Sequence, residues 1–406
     1  MPATRSQKKR RTVRQKNKTV KNKKAYKLEK FVNLILDGDV KGCLALIKSG
    51  NYDPEFISSN GNTLLIWACQ YLLYDVALKL IETGTSKPEH VNKDSETALI
   101  WVCKDFGPQM HEAVIKNLFK KKEEVVISLL KTEKANVGHT NKDGNTALMM
   151  ACKNNFENIA LKLIESGKAN LKQVNKNKNT ALIMACKKNL NKVALKLIET
   201  GKANTEQVNK DKETALMWAC INKLDKVALK LIKTGKVNSE QVSKHKDTAL
   251  IWASSFYDNN KMENVALKIL ETGKSNPDYV DDKNKNALNF ACQFDMNKIA
   301  LKLLERGKIN INKISGNGNT PLIHACRNKM VKVAFKLLET GKSNPSQVEN
   351  NGFSAIYWAN KNNLPLSLKE KIIELSDIEY KKKLRTEKKT HKKSKKKKTH
   401  KKGSKK

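Results

Sequence analysis

The feature that most constrains this chain is a block, Thr-Ala-Leu-x-x-Ala-Cys, that returns at a fixed step. Its first positions are Thr63, Thr97, Thr146, Thr180, Thr214, Thr248, Asn286, Thr320 and Ser354. Six of the eight steps are 34 residues, and the other two are 49 and 38, one period plus inserts of 15 and 4. Self-similarity on that scale is the signature of stacked supersecondary units, each too small to bury its apolar face alone. The 406 residues are therefore expected to form one elongated array with flanking tails rather than several independent globular domains.

Residues Asn141 to Gln173 show what one unit asks of its backbone. Asn141-Lys142-Asp143-Gly144-Asn145 is a polar turn with glycine where a positive φ is convenient, and Thr146 stands where a helix N-cap belongs. Ala147, Leu148, Ala151 and Cys152 follow at helical spacing with small side chains, which suits a short first helix pressed against neighbours. Lys153-Asn154-Asn155 interrupts it. Ile159, Ala160, Leu161, Leu163 and Ile164 predict a more apolar second helix, stopped by Gly167 as the C′ residue. The same stop stands at Gly84, Gly201, Gly235, Gly273, Gly307 and Gly341. The predicted unit is turn, helix, turn, helix, loop, and the fold class is all-α.

This order resembles the ankyrin repeat, in which a Thr-Pro-Leu-His-x-Ala motif is followed by a second helix ending Leu-Leu-x-x-Gly. Thr320-Pro321-Leu322-Ile323-His324-Ala325 is the nearest copy, and the likeness recurs in register through nine units. The resemblance implies an ankyrin-repeat solenoid of helix-turn-helix units joined by turn or hairpin connections, binding proteins through turn tips and first-helix faces. The family's His position is occupied here by Ile66, Ile100, Met149, Ile183, Met217, Ile251, Asn289, Ile323 and Tyr357, so mostly apolar packing is expected where the family has hydrogen bonds. All five tryptophans fall one place later, at Trp67, Trp101, Trp218, Trp252 and Trp358, a register read as core packing. The Lys-, Asn- and Ile-rich, near-identical repeats also resemble the expanded ankyrin families of giant DNA viruses of amoebae.

The expected organisation is a disordered basic tail over 1–25, capping helices over 26–57, repeats over 58–360, a C-terminal capping helix over 361–380 and a disordered Lys-rich tail over 381–406. Inserts near 105–124 and 258–261 fall between the first and second helices of their units, and the longer one is expected to hold an extra helix. Net charge follows the same map. Residues 1–30 carry 13 Lys/Arg against one Glu and residues 381–406 carry 16 against one, so the ends supply 27 of the +40 and leave the array about +13. With almost no large apolar side chains, those ends cannot offset the entropy of ordering.

No run of about 18 apolar residues is present, so no membrane span is expected, and the basic N-terminus lacks the apolar segment of a secretory signal. Seven of the eight cysteines share one register, at Cys69, Cys103, Cys152, Cys186, Cys220, Cys292 and Cys326. Helices packed about 8–10 Å apart hold such residues too far apart for disulfides. They read as small buried residues of a reducing, intracellular compartment, host cytoplasm or nucleus if the chain is viral. No phosphate-binding glycine loop, nucleophile elbow or metal-ligand spacing occurs, and the seven histidines lie scattered. Neither an enzyme, a cofactor nor a metal is expected.

Surface remains. Lys93, Lys142, Lys176, Lys210 and Lys244 hold one turn register in five successive units and are candidate partner contacts. A coding bias toward Lys and Asn accounts for the same ladder. Lys8, Lys9, Arg10 and Arg11, with Lys395, Lys396, Lys397 and Lys398, have the density of nuclear-import or nucleic-acid-binding segments. The expected function is a monomeric, non-enzymatic protein-interaction scaffold. One alternative is a basic protein that holds nucleic acid non-specifically through its tails. A lesser one is a ubiquitin-ligase adaptor, since residues Leu364 to Leu375 resemble the start of an F-box, although a capping helix accounts for them too.

Overall fold

The computed structural model describes residues 29–104, 112–256 and 260–378. Its contacts divide the chain into two units, Met1–Gln207 and Val208–Lys406, each built by the same local rules. In the first, α1 (29–36) and α2 (Val40–Lys48) precede four helix pairs. These are α3 (Leu64–Gln70) with α4 (Tyr74–Glu82), α5 (Ala98–Val102) with α6 (Glu112–Lys131), α7 (Ala147–Lys153) with α8 (Glu157–Glu165), and α9 (Ala181–Lys187) with α10 (Asn191–Glu199). First helices stack on first helices from α3 to α9, and second helices on second helices from α2 to α10.

The second unit repeats the scheme with α11 (Ala215–Ile221) and α12 (Asp225–Lys233), α13 (Ala249–Ala253) and α14 (Asn260–Glu271), α15 (Ala287–Gln293) and α16 (Asn297–Arg306), and α17 (Pro321–Arg327) and α18 (Val331–Glu339). It ends in α19 (Ala355–Lys361) and a helix, α20, over 366–378. No β-strand is present among the described residues, and an isolated bridge joins Val348 to Ser354.

The repeated Thr starts each first helix. In seven repeats its Oγ1 accepts the N–H three residues on at 3.2–3.3 Å, satisfying a donor that the helix end leaves free. Asn286 takes this place with a reciprocal capping box to Asn289. Buried Asn289, at the family's His position, also donates from Nδ2 to the Lys313 carbonyl at 2.9 Å, a tie to the next loop that the apolar residues of this register cannot make. The glycine stops at 84, 167, 201, 235, 273, 307 and 341 all take φ between 63° and 72°.

The break between the paired helices works differently. Leu72, Asn155, Asn189, Lys223, Asp295, Lys329 and Asn363 turn the chain there with φ between 51° and 63°, left-handed geometry without glycine.

The first insert gives no separate extra helix among the described residues. It lengthens α6 to 20 residues against nine in α8, because Glu112–Lys131 contains neither Gly nor Pro to end it. This longer helix is anchored by a lysine. Lys122 is fully buried, its Nζ donating to the Lys104 carbonyl at 2.7 Å and lying 3.9 Å from the centre of the Phe156 ring. In α20, Leu368 and Ile372 are buried, as is Leu364 just before it.

Candidate functional site

Each turn is organised by a side chain five residues before the cap. Asn175 Oδ1 accepts from the N–H of Asn177 and of Asn179, both at 3.0 Å. Asn92, Asn141, Asn209 and Asp281 do the same in their own turns, and in the Ser243 turn a hydroxyl suffices. Successive tips also touch within a unit. Lys93 N donates to Asn60 O at 3.1 Å, Lys176 N to Asp143 O at 2.9 Å, and Lys244 N to Asp211 O at 2.9 Å. Asn92 and Asn175 extend Nδ2 donors to the buried Asn62 and Asn145 at 2.7 and 2.8 Å.

All five candidate lysines of the turn register are exposed. The fold sets three of them beside an aspartate of the preceding turn. Lys142 Nζ lies 2.9 Å from Asp94, Lys176 3.7 Å from Asp143 and Lys244 2.8 Å from Asp211. At these three tips a cation and an anion therefore stand side by side. Such exposed pairs add about 0–1 kcal/mol each, and what they carry is a pattern of charge. Lys8, Lys9, Arg10, Arg11, Lys395, Lys396, Lys397 and Lys398 lie outside the described residues.

The tryptophan register needs correcting. Trp67, Trp101, Trp218, Trp252 and Trp358 are half-buried rather than core, while the residue just before each of the first four is fully buried. A first helix of five to seven residues is enclosed by its neighbours and its own second helix, which leaves the fifth place of the block, the cap counted as the first, half-exposed wherever it holds Trp. Polar pairs bracket that place, one member just before the cap and one at the helix end. Glu96 holds Lys104 at 2.6 Å, and Lys104 Nζ sits 3.7 Å from the Trp101 ring centre. Glu213 accepts from Trp218 Nε1 at 3.0 Å. Arg327 lies over Trp358 at 4.4 Å. Trp101 Nε1 and Trp358 Nε1 are buried without a partner.

In the second unit the register runs Trp218, Trp252, Phe290, His324, Trp358. His324 is 4% exposed, and a cavity of about 180 Å³ opens beside it. Burial first, then the nearby Arg327 and Lys285 charges, pushes its imidazole down to about 3, so it is neutral at pH 7. The cysteines are the inert members of the repeat. All eight are buried with free thiols, and burial pushes Cys43 up to about 11 and Cys103 and Cys326 up to about 12. Among the described residues no helix is long and apolar enough to cross a membrane.

A chain whose capped first helices, glycine-stopped second helices and leaning turns recur in this way is a helical repeat protein. It belongs to the ankyrin-repeat family: the family model for ankyrin repeats (3 copies) matches residues 110–207, 255–348 and 288–375, together more than half of the chain. Among solved structures, the ankyrin repeat domain of Bcl-3, a unique member of the IkappaB protein family, is 20% identical. That match covers 58% of this chain and 96% of the other, with a TM-score of 0.41. The human ASB11 ankyrin repeat domain is 23% identical over 57% of this chain and 98% of its own, also with a TM-score of 0.41. No curated protein sequence matches. Ankyrin repeats are in general protein-interaction modules.

Proposed function

We propose that the protein is a non-enzymatic, monomeric scaffold that binds a protein partner through its turn tips and the outward register of its first helices. The observation that carries this reading is the half-buried Trp register bracketed by charged and polar pairs. Large aromatic surface beside fixed polar groups is what protein interfaces use as anchors. The turn lysines, with Lys93 and Lys210 among them, set charge at the rim, where it steers approach more than it adds affinity. Eight buried thiols suit a reducing, intracellular setting. The Lys- and Asn-rich composition of the repeats supports a likeness to the expanded ankyrin families of giant DNA viruses of amoebae.

The test is comparative affinity capture with the full chain and with a Trp101→Gln/Trp218→Gln/Trp252→Gln variant that keeps its helical circular dichroism. A partner held by the native chain and lost by the variant supports the reading. Equal capture by both removes this face from the interface.

The charge of the ends supports a second reading, nucleic-acid binding through the basic tails, because 27 of the +40 lie in residues 1–30 and 381–406. The full chain and a 31–380 fragment are compared on generic DNA and RNA across a salt series. Binding that weakens steeply with salt and disappears with the tails supports it; no binding by the full chain near physiological salt excludes it.

A further inference from the structure

In eight of the nine first helices the fifth place of the block, the cap counted as the first, is Trp, Met or Phe; in α17 it is His324. An imidazole is smaller than the rings on the flanking repeats, Phe290 and Trp358, and a cavity of about 180 Å³ lies beside it. Its walls come from two consecutive bracketing pairs whose charges have changed sides. On the α15 repeat the cation stands before the cap, Lys285, with Nζ donating to the neutral Gln293 Oε1 at 2.7 Å. On the α17 repeat it stands at the helix end, Arg327, with Nη2 donating to Asn319 Oδ1 at 3.2 Å. Asn328 also lines it, its Nδ2 already shared between the carbonyls of Cys292 and Gln293 at 2.8 Å.

Two buried nitrogens on this wall have no hydrogen-bond partner, His324 Nε2 and Arg327 Nε. They belong to residues three apart on one helix, which share a face, and both residues line the cavity. Neutral imidazole can present Nε2 as a donor, the guanidinium nitrogen is always one, and Lys285 has further ammonium protons beyond the one given to Gln293. Two acids stand close by, Glu349 with Oε1 2.8 Å from Arg327 Nη2 and Asp281 accepting from the Lys285 N–H at 2.8 Å, and neither lines the cavity. A half-enclosed site with unmet donors and two cations lacks one thing, an anionic acceptor with two oxygens. The space admits a carboxylate with room for water.

We propose that this cavity is the socket for an acidic side chain, Asp or Glu, of the protein partner, its carboxylate received by His324 Nε2, Arg327 Nε and Lys285 Nζ. The proposal rests on the scaffold reading and deepens it by naming what the partner must bring. The occupant is a residue of a polypeptide rather than a free anion because Phe290 and Trp358 stand one repeat to either side as apolar shoulders for the chain carrying it. A socket on one repeat also fixes the register in which a partner lies along the array.

The experiment needs no identified partner. Full-length protein labelled at histidine Cε1 is titrated with N-acetyl-Gly-Glu-Gly-amide, with its Gln counterpart and with inorganic phosphate, while the seven histidine signals are followed by NMR. His324 is assigned as the signal missing from His324→Gln. The expected result is a saturable shift of that signal with the Glu peptide, at least tenfold weaker in Lys285→Gln and absent with the Gln peptide. Because Lys285 is partly exposed and its variant keeps the bond to Gln293 within reach, it serves as the folded control if His324→Gln loses structure. Saturation by phosphate with no response to the Glu peptide overturns the assignment to a partner's side chain. No response to any of the three overturns the socket altogether, and it does so independently of whether capture through the Trp register succeeds.

Discussion

Replacing Asn175 probes how turns are held to one another. Its side chain makes three bonds, accepting at Oδ1 from the N–H of Asn177 and Asn179, both at 3.0 Å, and donating from Nδ2 to Asn145 Oδ1 at 2.8 Å. Two bonds fold the turn and the third ties it to the turn before. Asn175 and Asn145 are both buried, at 9% and 7% exposure, so water does not readily replace what is lost. At about 1 kcal/mol net per bond, Asn175→Ala costs roughly 3 kcal/mol. The protein supplies its own control: Ser243 holds the equivalent turn with Oγ, accepting from His245 N at 3.1 Å and Asp247 N at 3.2 Å. Asn175→Ser keeps the two acceptor bonds and loses the tie, for about 1 kcal/mol. Urea unfolding of the full chain by circular dichroism gives the difference. Amide exchange at 175–179 gives the local value, since a repeat array need not unfold in one step. Ser as costly as Ala, or Ala below about 0.5 kcal/mol, would refute the bond-by-bond reasoning.

Three further outcomes follow from the same geometry. Lys212 sits at φ 59° in a turn register where other repeats have glycine, so Lys212→Gly should raise the urea midpoint by the equivalent of about 1 kcal/mol. In the same register, Gly318→Lys should cost more than that gain, because a Cβ there would lie 2.9 Å from both Asn350 N and Glu349 Cα; an equal and opposite pair of shifts would show that only φ matters. Folded His324, near Arg327 and Lys285 with Glu349 paired to Arg327, refuses a proton that the unfolded chain accepts between about pH 3 and 6.5. Stability therefore falls as pH drops through that window, by about 2–3 kcal/mol at pH 4.5. Asp247, pushed up to about 6 by burial and by Asp281, opposes it, binding its proton more readily when folded and losing stability as pH rises from about 4 to 6. His324→Gln should remove the acid loss and Asp247→Asn the opposite slope, and unchanged pH profiles would contradict both. Finally, native protein should give no fast thiol with Ellman's reagent and eight after denaturation, all eight cysteines being buried; one rapid native thiol would show that the ladder opens.

The difference between what was legible in the sequence and what was not has a physical origin in helix length. Thr caps and glycine stops are local devices: Thr146 Oγ1 needs the N–H of Met149 and Gly167 needs a free φ, and both act within three residues. They could be read directly, as could the cysteine register, whose small side chains sit where helices press together. Facing is another matter. Seven residues make barely two turns, too few for periodicity to separate one side from the other, so Trp218 reads as core as readily as Met217 does. Only the neighbouring repeats decide that Met217 is 1% exposed and Trp218 half out. Leu72 and Lys223 likewise take left-handed φ because the helix pair must close, with no turn residue to announce it. The socket beside His324 was hidden for the same reason, since it exists through two repeats at once, with Lys285 on one and Arg327 on the next. The architecture spends the constant positions of the block on packing, where one repeat cannot differ from its neighbour without a misfit. Variation is left to the fifth place and its brackets, Asn62 with Gln70, Glu96 with Lys104, Lys285 with Gln293, Asn319 with Arg327. If an ankyrin array of this kind discriminates between partners, those few positions are where the discrimination is written, and α17 is the repeat at which it departs furthest from the others.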